Sequence, residues 1–175
     1  MVKNRILGVI PARYKSTRFE GKPLALINGV PMIKRTFLQA SKSQFLSDLI
    51  VATDDVSIYD YCTKERMKVC MTSTECLTGT DRLAEVATKY NADLYVNIQG
   101  DEPIIDPKSI EEIIELYHKY SEYYMVYNLY KIIKDENEIN SKTIIKVIVN
   151  EDDDVMYMSR DRKSTRLNSS HESPS

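Results

Sequence analysis

The sequence predicts an α/β fold, a mainly parallel sheet flanked by helices, and three observations carry that expectation. Continuous apolar runs of strand length recur along the chain, segments of helical periodicity separate them, and a polar or charged cluster follows each run. The run Ile6-Leu7-Gly8-Val9-Ile10, ending at Pro11, has the pattern of a strand buried on both faces. Residues 48–53 and 94–98 read the same way, and Val69-Cys70-Met71 is a shorter strand. Between them, Pro31 suits a first helical position and places Met32, Ile33, Phe37 and Ala40 on one side. Ile58, Cys62 and Glu65-Arg66 mark a second helix, and residues 81–89 a third, with Leu83, Val86 and Ala87 inward. From Pro107 a fourth shows Ile110, Ile113, Ile114 and Tyr117 at i, i+3, i+4 and i+7. Beyond Tyr123 three further strands are expected, at 124–130, 143–149 and 155–158, without strong helices between them.

Composition sets the bounds. A chain of 175 residues holds one domain of ordinary size, or one domain plus a tail. With 42% hydrophobic and 29% charged residues it is globular, which excludes wholesale disorder. No apolar run approaches the ~18 residues of a membrane span, and the apolar stretch near the N-terminus is shorter than a secretory core. A cytoplasmic protein without membrane insertion is therefore expected. The 24 Lys and Arg against 26 Asp and Glu give no electrostatic argument for a nucleic-acid partner. Cys62, Cys70 and Cys76 contain no C-x-x-C pair and fit reduced thiols better than a disulfide framework or a zinc site.

Composition shifts after Arg160. Residues 161–175 hold one large apolar residue, Leu167, and no periodicity. The run Asp-Arg-Lys-Ser-Thr-Arg-Leu-Asn-Ser-Ser-His at 161–171 reads as the conceptual translation of a short-read sequencing adapter. The expected organisation is residues 1–160 as the N-terminal portion of a domain incomplete at its C-terminus, and 161–175 as a non-native disordered tail. Without the tail, 21 Lys and Arg stand against 24 Asp and Glu.

In open α/β sheets ligands bind outside the carboxyl ends of the strands. The segment after the first strand, Pro11-Ala12-Arg13-Tyr14-Lys15-Ser16-Thr17-Arg18-Phe19-Glu20-Gly21-Lys22-Pro23, places four cations within ten residues. Guanidinium forks and exposed backbone N–H groups suit a polyphosphate there, and a solvated basic loop is the alternative. It is not a Walker A loop, and no G-x-G-x-x-G fingerprint occurs. Gln99-Gly100-Asp101-Glu102-Pro103 sets two acids at a strand end, where one carboxylate can hold phosphate-bound Mg2+ or simply serve a turn. Asp54-Asp55 reads as a helix N-cap rather than a metal site. Leu77-Thr78-Gly79-Thr80-Asp81-Arg82 reads equally as loop plus N-cap or as a nucleotide contact. Asp152-Asp153-Asp154 reads as an exposed turn, and His118 as a surface residue that gives no support to a nucleophilic triad.

Together, and in this order, Ile10-Pro11-Ala12-Arg13-Tyr14-Lys15-Ser16-Thr17-Arg18, Gly21-Lys22-Pro23-Leu24, Ile27-Asn28-Gly29-Val30-Pro31-Met32-Ile33, Val51-Ala52-Thr53-Asp54-Asp55, Met71-Thr72-Ser73, Thr78-Gly79-Thr80-Asp81-Arg82-Leu83-Ala84-Glu85 and Val96-Asn97-Ile98-Gln99-Gly100-Asp101-Glu102-Pro103 resemble the 3-deoxy-manno-octulosonate (Kdo) cytidylyltransferases, the CMP-Kdo synthetases of lipopolysaccharide assembly. The resemblance covers residues 5–160. Two departures stand out: Phe19-Glu20 replaces a usual Leu-Pro, and Leu77-Thr78 replaces a small polar lead-in.

The resemblance implies a Rossmann-like nucleotidyltransferase fold and the reaction of CTP with Kdo to give CMP-Kdo and pyrophosphate, with Mg2+ as cofactor. It implies that Arg13 and Lys22 neutralise the triphosphate with backbone groups at Ala12, and that Asp101 is the first Mg2+ carboxylate. Ser73, Gly79, Thr80 and Arg82 match nucleoside-side segments, and Gln99 a position near the sugar. Ser16 belongs to the triphosphate loop, as do Lys15 and Arg18, which read equally as solvated cations. A second metal aspartate, further sugar contacts and much of a homodimer surface lie past Arg160 in that family. A sister enzyme for an acylneuraminate or an amino-Kdo, and a non-catalytic nucleotide-binding fragment, are the alternative readings.

Overall fold

The expected alternation is present in the computed structural model, which describes residues 4–15 and 19–161. The elements are β1 (Ile6–Ala12), a 3-10 turn (Lys22–Leu24), β2 (Leu26–Ile27), β3 (Val30–Pro31), α1 (Met32–Ala40), β4 (Asp48–Thr53), α2 (Val56–Lys64), β5 (Val69–Met71), α3 (Gly79–Lys89), β6 (Leu94–Asn97), α4 (Pro107–Tyr120), α5 (Glu136–Asn140), β7 (Lys146–Val149) and β8 (Val155–Ser159). The chain divides into two compact units, one up to Tyr127 and one from Asn128.

In the first unit β5, β4, β1 and β6 form a parallel sheet in that order. Period-two burial explains why its strands read as unbroken apolar runs. Ile6, Ile10 and Ala12 of β1, with Leu49 and Val51 of β4, join one core with Ile33 and Ala40 of α1, Ile58 and Cys62 of α2, and Ile110 and Ile114 of α4. Leu7 and Val9, with Ile50 and Ala52, face the other core, where Val86 of α3 packs.

The strand order reverses beside β1. Successive crossovers run from β1 to β4 and β5, and the chain then returns to place β6 on the opposite side of β1. The β1–β6 ladder stops at Val9 opposite Asn97, whereas the β1–β4 ladder continues to Ala12 opposite Thr53. Pro11 therefore lies inside the strand and does not end it, a correction with a clear cause. The Val9 carbonyl accepts the Ile98 N–H at 2.9 Å, so Pro11, two residues on, faces the same edge just past the end of that ladder, where no N–H is required.

Local caps fix the helix starts. Asp55 accepts the Ile58 N–H at 3.0 Å, and Asp106 the Lys108 N–H at 3.0 Å, with Pro107 in the first turn of α4. Thr78 and Asp81 form a reciprocal capping box, which begins α3 two residues before the expected 81. Pro31 precedes α1 and is not its first residue. The hairpin of β2 and β3 turns through Asn28 and Gly29, both at positive φ (48° and 75°), the conformation a tight two-residue hairpin requires.

The second unit contains α5 and the antiparallel hairpin of β7 and β8, whose turn carries Asp153 at φ 64°. Asp152-Asp153-Asp154 thus forms the turn expected of it. Lys146 is buried and donates through Nζ to the carbonyls of Ser141 and Arg160. Val155, Met156, Tyr157 and Met158 are exposed. The strand expected at 124–130 is absent: these residues are irregular and span the boundary between the units. Their Tyr- and Val-rich composition suits a pleated surface, but no neighbouring strand among the described residues supplies a ladder.

Candidate functional site

A cleft of about 400 Å³ opens at the carboxyl ends of β1 and β6, where the strand order reverses. Its size and position suit a small ligand in a fold of this kind. From β1 come Pro11 and Ala12; from the following loop and 3-10 turn, Arg13, Phe19, Lys22 and Pro23; from the turn after β6, Gln99, Gly100 and Asp101. Met32 of α1 and Cys76, Thr78, Gly79 and Arg82, before and on α3, complete the lining.

Two glycines make the cleft possible. A Cβ on Gly100 would stand 2.7 Å from the Pro11 carbonyl oxygen, so only glycine lets this turn approach the end of β1. A Cβ on Gly79 would meet the Pro11 ring at 3.1 Å, which brings the N-terminus of α3 against the same residue. The hydroxyl of Thr36, buried on α1, has the Met32 and Gly100 carbonyls each at 3.2 Å as acceptors for its one proton, which links the helix to the turn.

Lys22 opens the 3-10 turn, after Gly21 at φ 66° closes the preceding loop by donating its N–H to the Tyr14 carbonyl at 2.9 Å. Lys22 Nζ donates to Asp101 Oδ2 at 2.5 Å across the cleft. This pair joins two motifs 79 residues apart in sequence. Beside it, Glu102 has its carboxyl pushed up, first by burial and then by the Asp101 charge. Arg13 is exposed and donates to the Leu77 carbonyl at 3.4 Å.

Arg82 behaves differently. It is 2% exposed, and its guanidinium donates to Thr72 Oγ1 at 2.5 Å, to Asp54 Oδ2 at 3.1 Å and to the Ser73 carbonyl at 3.4 Å. Asp55 caps α2, as expected, while its neighbour Asp54 is the counter-charge of Arg82. Arg82 therefore forms a wall of the cleft with its donor fork already engaged and its charge balanced by Asp54.

Of the residues singled out in the sequence, Ala12, Arg13, Lys22, Gly79, Arg82, Gln99 and Asp101 meet in this cleft. Lys15, Ser73 and Thr80 are exposed and do not line it. Ser16 and Arg18 lie outside the described residues, as does the tail from 162 onward. Phe19, Pro23, Met32, Cys76 and Thr78 line the cleft without having been assigned a role. Thr78 carried a signal, a hydroxyl before a Gly-Thr-Asp helix start; Met32 and Cys76 carried none, because their placement depends on the packing of α1 and the 72–78 segment.

The residues fit Mg2+ in a particular way. Among the described residues no group of three or more His, Cys, Asp and Glu is placed to hold a metal, so a cage made only of protein is not available. Mg2+ is ordinarily held by one or two carboxylates together with substrate phosphates, and Asp101 supplies one such carboxylate. Lys22 Nζ donates to this same carboxylate.

A parallel sheet with a cleft at its switch point, two solvent-accessible cations and a helix N-terminus in the wall is the ligand-binding architecture of an open α/β protein. Residues 7–172 match the family described as cytidylyltransferase, and the chain belongs to that family. It is 43% identical over 157 residues to an 8-amino-3,8-dideoxy-manno-octulosonate cytidylyltransferase of Shewanella piezotolerans, covering 88% of this chain and 64% of that protein. It is 42% identical over 160 residues to a 3-deoxy-manno-octulosonate cytidylyltransferase of Protochlamydia amoebophila, covering 89% and 61%. A solved CMP:2-keto-3-deoxy-manno-octonic acid synthetase complexed with CTP superimposes with a TM-score of 0.81 at 33% identity, covering 90% of this chain and 65% of that one. The chain thus spans less than two thirds of the length of these relatives. No helix among the described residues is long and apolar enough to cross a membrane.

Proposed function

We propose that this chain supplies the nucleotide side of a cytidylyltransferase that joins CTP to a Kdo-type acidic sugar, giving the CMP-sugar and pyrophosphate for lipopolysaccharide assembly. The observation that carries the reading is the convergence of Arg13, Lys22 and Asp101 on one switch-point cleft. The sugar's anomeric hydroxyl attacks the α-phosphorus, forming the new O–P bond; the bond to the β-phosphate breaks, pyrophosphate leaves with its electron pair, and the hydroxyl proton passes to solvent.

Such a transfer is accelerated mainly by positioning and charge neutralisation. Arg13 and Lys22 neutralise the triphosphate, and backbone groups at Ala12 orient it. Asp101 would hold Mg2+ together with phosphate oxygens; when bound, the ion supplies Lewis-acid polarisation of the phosphoryl group. Lys22 leaves Asp101 for the phosphates as the nucleotide enters, which frees the carboxylate. Gln99 faces the sugar side. The amino-Kdo alternative keeps specific support, because the Shewanella relative is named for the 8-amino sugar. Cytoplasmic location and homodimeric assembly belong to the same proposal, the latter tested by sedimentation.

The functional test is pyrophosphate release by the protein expressed from its full reading frame. Release is expected only with CTP, Mg2+ and either Kdo or its 8-amino analogue, and Asp101→Asn should abolish it while the protein stays folded. Equal turnover with N-acetylneuraminate, or with UTP and a hexose 1-phosphate, rejects the substrate; wild-type turnover of Asp101→Asn rejects the site.

A further inference from the structure

We propose that Glu85, which does not line the cleft, is a positioning residue for it: its carboxylate holds the 72–78 segment in the shape that receives the nucleoside. This rests on the cytidylyltransferase reading above.

Three donors converge on this one side chain. Glu85 Oε2 accepts the Ser73 backbone N–H at 2.7 Å and the Cys76 thiol at 3.3 Å, and Oε1 accepts Lys89 Nζ at 2.7 Å. Lys89 Nζ also donates to the Met71 carbonyl at 2.9 Å, so the end of β5 hangs on the same helix turn. Arg82, three positions earlier on α3, takes the Thr72 hydroxyl and reaches the Ser73 carbonyl. Ser73 thus has its N–H on one α3 side chain and its carbonyl on another.

The segment has little regular hydrogen bonding of its own. The Cys76 N–H reaches the Ser73 carbonyl only at 3.4 Å, and the Ser73 hydroxyl accepts the Glu75 N–H at 3.1 Å. Beyond these contacts its far end reaches the cleft, where Cys76 and Thr78 form part of the wall. A tether that removes freedom from a binding wall before the ligand arrives lowers the ordering cost of binding. The Lys89 and Ser73 contacts hold the Glu85 carboxyl down to about 2, so it remains the charged acceptor throughout the neutral range.

The test uses the full chain, with CTP and Mg2+ as ligands in calorimetry and a thiol reagent as a probe of Cys76. Cys62 and Cys70 are buried, which leaves Cys76 as the thiol that reports on the wall. Wild-type titration comes first: without CTP binding the functional reading falls and this proposal with it. Given binding, Glu85→Ala should weaken CTP roughly tenfold, the effect of one lost hydrogen bond to a charged group. Glu85→Asp keeps the charge but falls short of Ser73, and should weaken CTP comparably. Glu85→Gln still offers a carbonyl to the Ser73 N–H and should stay within about threefold of wild type. Cys76 should react faster in the Ala and Asp variants, and CTP should slow its reaction in the wild type. Wild-type affinity and thiol reactivity in both the Ala and Asp variants would overturn the proposal. So would equal weakening in Ala, Asp and Gln that merely follows equal losses of thermal stability, since that is the signature of a helix tether alone.

Discussion

The two walls of the cleft each contain an ion pair, and the pairs are opposites. Lys22–Asp101 joins the loop after β1 to the turn after β6 with side chains 40% and 50% exposed. Arg82–Asp54 joins α3 to the end of β4 with side chains 3% and 21% exposed. Water screens the first, so it adds little to stability. The second is desolvated, and its Arg depends on Asp54, Thr72 and the Ser73 carbonyl to balance a buried charge. One wall therefore leaves its charges open to solvent, while the other uses them to hold its own shape.

The sharpest way to break this contrast is Asp54→Ala. Leaving the Arg82 guanidinium buried without its carboxylate should cost about 3–5 kcal/mol in urea unfolding, the usual range for breaking a buried pair. Adding Arg82→Met should restore part of that loss. No loss in the single variant would place Arg82 among the ligand-facing cations.

Gly100→Ala comes next. Its Cβ meets backbone, not the end of a flexible side chain, so β1 and the 99–102 turn must separate. The expected cost is about 1–3 kcal/mol, accompanied by weaker CTP binding. A variant with unchanged unfolding and unchanged CTP titration would remove Gly100 from the account of the cleft.

Lys22→Ala should change stability by less than about 1 kcal/mol, because its pair is exposed. Its triphosphate affinity should nevertheless fall by about 1.5–3 kcal/mol, the worth of a charge-assisted contact. Calorimetry with CTP against CMP separates the two walls, since only the triphosphate should register the missing lysine.

The smallest effect is a pH dependence. The folded-state pKa of Glu85 is depressed to about 2 from the ordinary 4.5, first by the Lys89 contact and then by the Ser73 N–H. Its stabilisation is therefore fully present above about 4.5 and is lost as pH falls toward 2. Glu85→Gln should lower thermal stability at neutral pH and converge on the wild type as pH falls from about 4.5 toward 2, so that its acid limb is flatter. An unaltered acid limb would show that the carboxylate is not engaged as described.

Much of the first unit was legible in the sequence because its signals are local or periodic. Apolar runs at 6–10 and 48–53 mark strands buried on both faces, since a parallel sheet covered on two sides has no polar face to display. Asp55 announces a helix start through its side-chain bond to an N–H group only three residues away. The basic loop and the Gly100-Asp101 turn were visible for the same reason, each being a compact run of residue types, although the run by itself leaves a solvated loop and simple turn chemistry open.

Tertiary structure alone decided how those pieces meet. That β6 lies beside β1, so that Lys22 reaches Asp101, depends on strand order, which no local pattern encodes. The same holds for the division of labour among charges: in sequence Arg82 looks like Arg13, and only the approach of Asp54 and Thr72 across the sheet's end makes it a buried structural cation. The strand expected at 124–130 failed for a related reason, because a strand exists only where a partner completes its hydrogen bonds, and no partner is written in the segment itself. Local chemistry is carried by neighbours in the chain; desolvation, pairing and register belong to neighbours in space.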